Sequence, residues 1–301
     1  MNERQEICGV KNRQIKHCEQ LEVFPGIEIE FDSYAGDSVQ IRHEAFDYVL
    51  EINHCREGRI GWEMKSGEAV YLGKGDICIH SMDVCSVSNL TLPLKAYEGL
   101  TIYIDLKALE KSCPDILKEA GFDAKDIYRK FCVGGNTVAV PANSRIDTAL
   151  TPLYDVSEEM FVPYCKLKTQ EVLMFLVDME PDKEENLTRC VSAQAEQVKQ
   201  IHDFLVENAD KRFTIEELSR KYLINTSSLK SVFKMIYVMP VAAYMKDYRM
   251  KKAMKMLRET DDSVAEIAER VGYGTQGKFT KAFKESVKAL PTEYRKMYRK
   301  Q

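Results

Sequence analysis

Two short runs in the C-terminal part of the chain carry the side chains best suited to hold a polyanion. One sets Ser227, Ser228, Lys230, Ser231 and Lys234 around the apolar Leu229, Val232 and Phe233. The other sets Thr275, Gln276, Lys278, Thr280, Lys281 and Lys284 around Phe279 and Phe283. Apolar residues three and four apart mark one helix face, which leaves hydroxyls, amide and lysines on the others. Hydroxyls and helix N-termini suit phosphate oxygens, lysine reaches guanine, and glutamine pairs with adenine. Gln276 and Lys278 are the base readers expected of the second run. Lys230 and Ser231 are those of the first, where short serines limit reach. Any of these lysines equally suits a phosphate contact alone, since half or more of such contacts go to the backbone. The chemistry implied is recognition of double-stranded DNA.

Both runs occupy the same place in a pattern written twice. The first copy runs Thr214 to Tyr222, a turn from Leu223 to Ser228, then Leu229 to Lys234. The second runs Ser263 to Val271, a turn from Gly272 to Gly277, then Lys278 to Lys284. Leu218 matches Ile267 at an offset of 49 residues and Phe233 matches Phe283 at 50, so the second turn holds one extra residue. Each copy predicts a helix-turn-helix, with a hydroxyl or acidic cap, a polar turn and a donor-rich second helix. In the second copy Asp262 or Ser263 is the cap, Glu266 would complete a capping box with Ser263, and Gly272 tolerates positive φ at the helix end. Pro240 suits a first helical turn. The run Val241 to Arg258 then predicts one linking helix. Tyr244, Tyr248, Ala253, Met254 and Leu257 lie near one of its faces, and Lys246, Arg249, Lys251, Lys252 and Lys255 largely on others.

Residues 196–301 resemble the DNA-binding domain of the AraC/XylS-type bacterial transcription regulators. The resemblance rests on Leu218-Ser219, Phe233-Lys234, Arg249, Ala253, Leu257, Ile267-Ala268, Val271-Gly272-Tyr273, Phe279, Phe283-Lys284 and Pro291-Thr292-Glu293-Tyr294-Arg295. It implies two recognition helices in successive major grooves, about 34 Å apart. It also implies RNA polymerase and a small-molecule effector as partners. Where that family usually has glycine after each recognition helix, this chain has Val238 and Lys288. Valine suits positive φ poorly, so these turns either avoid that conformation or carry strain. The serine usual before Pro291 is Leu290.

At 301 residues, 45% apolar and 30% charged, the chain predicts a globular protein of two domains. No run approaches the roughly 18 apolar residues of a membrane span, and residues 1–20 are too polar for a signal peptide, so a soluble, cytoplasmic protein is expected. The net charge of −4 hides a division: residues 195–301 hold 22 Lys+Arg against 14 Asp+Glu, a net of +8, and the remainder a net of −12. Basic character thus gathers where phosphate must be neutralised. The nine cysteines, Cys8, Cys18, Cys55, Cys78, Cys85, Cys113, Cys132, Cys165 and Cys190, all precede the repeat and form no C-x-x-C pair. They predict reduced thiols rather than disulfides or a zinc ribbon.

Residues 1–20 predict an N-terminal arm. From Leu21 to about Val140 short alternating runs predict strands of a sandwich or barrel, among them Gly26–Phe31, Tyr48–Asn53, Ile60–Met64, Ala69–Leu72, Asp76–His80 and Leu100–Leu106. The turn Leu72-Gly73-Lys74-Gly75-Asp76-Ile77 resembles the strand corner of cupin-like barrels, the sensor fold commonly joined to this DNA-binding domain. A small barrel encloses at most one ligand. Tyr48, Leu50, Ile52, Trp62, Met64, Ile77 and Ile79 are candidates to line it, or are core alone. His54, Cys55, Cys78, His80 and Cys85 invite a metal, but no H-x-H occurs, so no metal, cofactor or catalytic set is assigned.

Leu106 to Phe131 predicts helices divided by Pro114 and Gly121. Arg145 to Met160 and Pro163 to Glu180 predict a helical hairpin, whose stripe either pairs a homodimer, as the resemblance implies, or only caps the barrel. Residues 181–195 predict a linker, and 196–209 an amphipathic helix under the first reading unit. The expectation is an α+β multidomain chain. A cupin-like effector-sensing domain with a helical hairpin spans 21–180, and an all-α domain of two helix-turn-helix units spans 196–301. The expected function is a ligand-responsive transcription activator. The alternatives are a regulator whose barrel only mediates oligomerisation, and a cupin-type metalloenzyme.

Overall fold

The computed structural model describes residues 20–298 apart from 43–45, 65, 83–86, 134–136 and 182–185. The expected arm lies outside the described residues but for Gln20, as does Cys85. The chain divides into two compact units, Met1–Val191 and Ser192–Gln301. No described helix is long and apolar enough to cross a membrane.

The first unit is β-rich. Its described strands are β1 (Gln20–Phe24), β2 (Ile27–Ala35), β3 (Ser38–Arg42), β4 (Val49–Gly58), β5 (Ile60–Glu63), β6 (Glu68–Leu72), β7 (Ile77–Ser81), β8 (Val87–Thr91), β9 (Ala96–Asp105), β10 (Val138–Val140) and β11 (Cys190–Val191). They form two antiparallel sheets, ordered β1-β2-β9-β4-β7-β10 and β11-β6-β5-β8-β3. Among the described residues no ladder joins the sheets, so the expected barrel takes the form of two separate sheets.

Strand alternation decides what each face meets. Ile27, Ile29, Leu50, Ile52, Ile77, Ile79, Leu100, Ile102 and Ile104 form one core with the apolar sides of α1 (Leu106–Ser112), α2 (Asp115–Glu119), α3 (Ala124–Phe131), α4 (Ser144–Leu150) and α5 (Phe161–Asp178). On the other face Cys55, Cys78 and Tyr97 pack with Ile60, Trp62, Met64, Val70, Leu72 and Leu90 of the second sheet. The β6–β7 corner needs glycine at Gly75. Its φ is +81°, and a Cβ there would lie 2.6 Å from the Ala142 methyl. Asp76 closes the corner by accepting from the Gly73 amide at 2.7 Å and the Ala142 amide at 2.9 Å.

Three expectations need correction. The helix expected over Arg145 to Met160 stops at Leu150, because Pro152 cannot donate to a continued ladder and Thr151–Tyr154 tightens into a 3₁₀ turn. Leu167, expected on the apolar stripe of α5, is 58% exposed. The polar stretch expected to be linker contains β11, paired with Ala69 and Glu68, and α6 starts at Ser192 rather than Glu196. None of the six described cysteines forms a disulfide, and all but Cys113 are buried.

The second unit is all helical, with α6 (Ser192–Glu207), α7 (Ile215–Tyr222), α8 (Thr226–Tyr237), α9 (Val241–Glu259), α10 (Val264–Arg270), α11 (Gln276–Val287) and α12 (Pro291–Tyr298). Both helix-turn-helix units open on the same device. Thr214 with Glu217 caps α7, and Ser263 with Glu266 caps α10, each a complete capping box. Leu218, Leu229, Val232, Phe233 and Ile236 are buried in the first unit. Met250, Ala253, Leu257, Ile267, Val271, Phe279, Phe283 and Tyr294 form the core of the second. The linking helix α9 therefore supplies one wall of the second core.

Candidate nucleic-acid interface

Helix α8 starts at Thr226, earlier than expected, because the Asn225 side chain caps it by accepting from the Ser227 amide at 2.8 Å. Thr275 caps α11 in the same way, accepting from the Lys278 amide at 3.3 Å. On α8, Ser227, Lys230, Ser231 and Lys234 are exposed and Ser228 is half-buried. On α11, Thr275, Gln276, Lys278, Lys281 and Lys284 are exposed and Thr280 is half-buried. Three of these hydroxyls have local partners: Ser227 donates to Asn225, Ser231 to the Ser228 carbonyl, and Thr275 serves its cap.

Neither helix has an acidic residue in its first turn, so the positive helix ends stay uncompensated. Among the described residues no carboxylate pairs with Lys230, Lys234, Lys278, Lys281 or Lys284. Two lysine-bearing helices with no acidic side chain in their first turns can accept phosphates, and Gln276 at the first position of α11 can reach a base edge.

The two departures from glycine resolve as left-handed backbone. Val238 closes α8 at φ +68° and Lys288 closes α11 at φ +62°. Leu223 closes α7 at φ +52° with its side chain 88% exposed. A β-branched residue in this region is strained. Val238 is 50% exposed, so little burial is lost on its removal. Left-handed backbone costs a non-glycine residue about 1–2 kcal/mol, against roughly 0.5–1 kcal/mol for glycine's extra chain entropy. Val238→Gly is expected to stabilise the second unit by about 1 kcal/mol, a rise in melting temperature of roughly 4 °C. A thermal melt unchanged or lowered by the substitution would show that the turn is not strained.

Arg249, expected among the exposed lysines of α9, is instead buried. Its guanidinium donates to the Ala209 carbonyl at 2.8 Å and the Lys211 carbonyl at 2.6 Å, just past the end of α6. Burial, with Arg212 nearby, lowers its pKa. Gly272, at the end of α10, abuts the same segment: a Cβ there would meet the Asp210 and Ala209 carbonyls at 2.8 and 2.9 Å. The two helix-turn-helix units thus meet on one short loop. In the sequence Arg249 reads as one more charge of α9, although it stands four residues from Ala253 and eight from Leu257 of the apolar face.

In the first unit a cavity of about 70 Å³ lies between the sheets. One wall is polar, with Asp32 of β2, Glu51 and Asn53 of β4, His80 of β7, and Thr101 and Tyr103 of β9. The other is apolar, with Ile41, Ile60, Trp62 and Leu90. Of the seven residues expected to line a ligand site, only Trp62 does so. Leu50, Ile52, Ile77 and Ile79 lie on the opposite face, under the helices. Met64 packs between the sheets outside the cavity lining, and Tyr48 stacks on Tyr128 with centroids 4.2 Å apart. The reason is register: one residue along a strand is the other face, and here it is the polar set that faces inward. His54 sits apart from the lining, its Nδ1 2.9 Å from the Tyr154 hydroxyl, and burial lowers its pKa to about 4.

Two helix-turn-helix units sharing a long helix, each presenting an exposed cationic helix, define the class of double helix-turn-helix nucleic-acid binders. A family model described as a helix-turn-helix domain matches residues 218–297. The HTH-type transcriptional activator RhaR of Mannheimia succiniciproducens is 32% identical over 94 residues, 31% of this chain and 34% of that protein. The melibiose operon regulatory protein of Escherichia coli is 26% identical over 33% of each chain. The Msm operon regulatory protein of Streptococcus mutans is 23% identical over 74% of this chain and 81% of its own. Among solved structures, the C-terminal domain of AraT from Geobacillus stearothermophilus is 26% identical over 35% of this chain and 88% of its own, at a TM-score of 0.34. The C-terminal unit thus carries a helix-turn-helix domain similar to those of these transcription regulators. The match spans about a third of RhaR and of the melibiose operon regulator.

Proposed function

We propose that the chain is a sequence-specific transcription regulator that binds double-stranded DNA through α8 and α11 and answers to a small molecule held in its N-terminal unit. The observation that carries this is the repetition. Two exposed lysine-bearing helices, each capped by a polar side chain and with their lysines outside any ion pair among the described residues, sit on one unit with a shared helix. Lys230, Ser231, Gln276 and Lys278 are assigned to bases, and Ser227, Ser228, Lys234, Thr275, Thr280, Lys281 and Lys284 to phosphates. The names of the relatives, one of them an activator, favour activation and so contact with RNA polymerase in the cytoplasm. The cupin-like sandwich, residues 21–180, is the sensor and the site of homodimer contact. Its ligand shifts populations between arrangements with different DNA affinity.

The test is a gel-shift titration of selected binding sites over a salt series. Lys281→Ala should weaken binding to every sequence and lower the salt slope by about 1. Gln276→Ala should leave that slope alone and relax preference at one base pair. An unchanged slope for the first, or an unchanged selected sequence for the second, removes that residue from its role. A barrel serving assembly alone would gain no thermal stability from metabolites, whereas a ligand at 100 times its Kd adds about 2.7 kcal/mol to the unit that binds it.

A further inference from the structure

The polar wall of the inter-sheet cavity is out of balance. Asp32 and Glu51 both line it, and no Lys or Arg does. Asp32 is satisfied, accepting from Tyr34 at 2.6 Å and Thr101 at 2.8 Å. Glu51 is not. Its Oε1 accepts from Asn53 at 2.9 Å, but its Oε2 is buried and has no hydrogen-bond partner among the described residues. The residue is only 9% exposed. A buried carboxylate oxygen without a donor is costly, so the site is built for a ligand that brings one. Opposite stands the ring of Trp62, and ring faces attract cations.

We propose that this cavity binds the ammonium head of a small organic cation, which donates to Glu51 Oε2 and lies against Trp62. This rests on the N-terminal unit being the sensor of the proposed regulator. Among the described residues no three His, Cys, Asp or Glu side chains are grouped to hold a metal, so the charge complement is organic. The neighbours of Asp32 add a pH dependence. Glu30 and Tyr34 on its own strand, Glu51 on β4, His80 on β7, and Tyr97 and Tyr103 on β9 are the titratable groups around it, and the apolar wall offers none. Burial, with Glu30 and Glu51 adding to it, pushes the Asp32 carboxyl up to about 7. An ammonium beside it favours the ionised form, so binding releases a proton and tightens as pH rises through about 7.

Trp62 is the only tryptophan in the chain, which makes its emission a direct report on the cavity. The full chain is titrated with n-butylammonium and with agmatine, and with n-butanol as the neutral counterpart, at about pH 6 and pH 8. Both cations should shift Trp62 emission saturably, more tightly at the higher pH, and n-butanol should not. Glu51→Gln should weaken the cations by about tenfold or more while leaving the apo melting temperature and DNA binding intact. No shift with either cation, an equal shift with n-butanol, or wild-type affinity in Glu51→Gln overturns the proposal. A gel shift on the same preparation separates the outcomes. Failure of the cations with DNA binding intact removes only this inference, whereas loss of DNA binding by the wild-type chain removes the regulator reading itself.

Discussion

Phe283→Ala is expected to destabilise the second helix-turn-helix by about 3–5 kcal/mol, the cost of emptying a large aromatic site that cannot collapse. Phe283 is fully buried, with its ring 5.5 Å from Phe279 and 5.6 Å from Tyr294. In the same core stand Met250, Ala253 and Leu257 of α9, Ile267 and Ala268 of α10 and Val271 just past its end, so one ring helps to fix α11 against three helices. A loss of this size is a large share of the roughly 5–15 kcal/mol that holds a domain together. Hydrogen exchange should show α10 to α12 opening first, and binding to an operator half read by α11 should vanish while the other half is retained. Phe283→Leu, which refills most of the volume, should recover most of the melting temperature. A loss under about 1 kcal/mol would mean that α11 is not held by this core.

The helical unit was open to reading because its signals are local. Phe233 and Phe283 recur at helical spacing, and Thr214 with Glu217 and Ser263 with Glu266 are capping boxes visible in the chain itself. What escaped were features set by tertiary contact. Arg249 looks like a surface charge until the carbonyls of residues 209 and 211 are brought to it. Asn225 looks like part of a turn until it accepts from the Ser227 amide. The sheets were harder for a physical reason: both faces of the first sheet are covered, so alternation identifies a strand but not which side holds the cavity. Leu50, Ile52, Ile77 and Ile79 were the natural candidates for a ligand wall, and they lie beneath the helices. Glu51, Asn53 and His80, the polar alternates, line the space between the sheets, against the usual sorting of polar residues to water. The strands β3 and β8 passed unread because short runs such as Ser38–Arg42 mix polar residues with only two apolar ones, Val39 and Ile41.

Arg249→Met is expected to cost about 2–3 kcal/mol and to damage the spacing of the two reading helices more than either helix alone. Methionine keeps the length of the side chain and the helix propensity of α9, so the change isolates the guanidinium. Two charge-assisted hydrogen bonds are lost and two carbonyls past the end of α6 are stranded, each bond being worth roughly 1.5–3 kcal/mol. Relief from burying a cation, evident in the lowered pKa of Arg249, offsets part of this. The segment released is the one on which Gly272 sits, with Arg212 donating to the Gly272 carbonyl at 3.4 Å. Loosening it unfastens one helix-turn-helix from the other. A similar hook recurs one repeat later, where Arg295 of α12 donates to the carbonyls of Leu257, in the last turn of α9, at 3.4 Å and of Asp262, past its end, at 2.5 Å. That second hook ties α12 to the end of α9 and not to the segment on which Gly272 sits, so Arg295→Met should lower the melting temperature without disturbing the spacing. Gel shifts on a full operator and on each half-site distinguish the two. Arg249→Met should lose more affinity for the full operator than the sum of its half-site losses, and Arg295→Met should not. Equal, purely additive losses in both variants would mean that Arg249 stabilises one unit and does not set the register between the two.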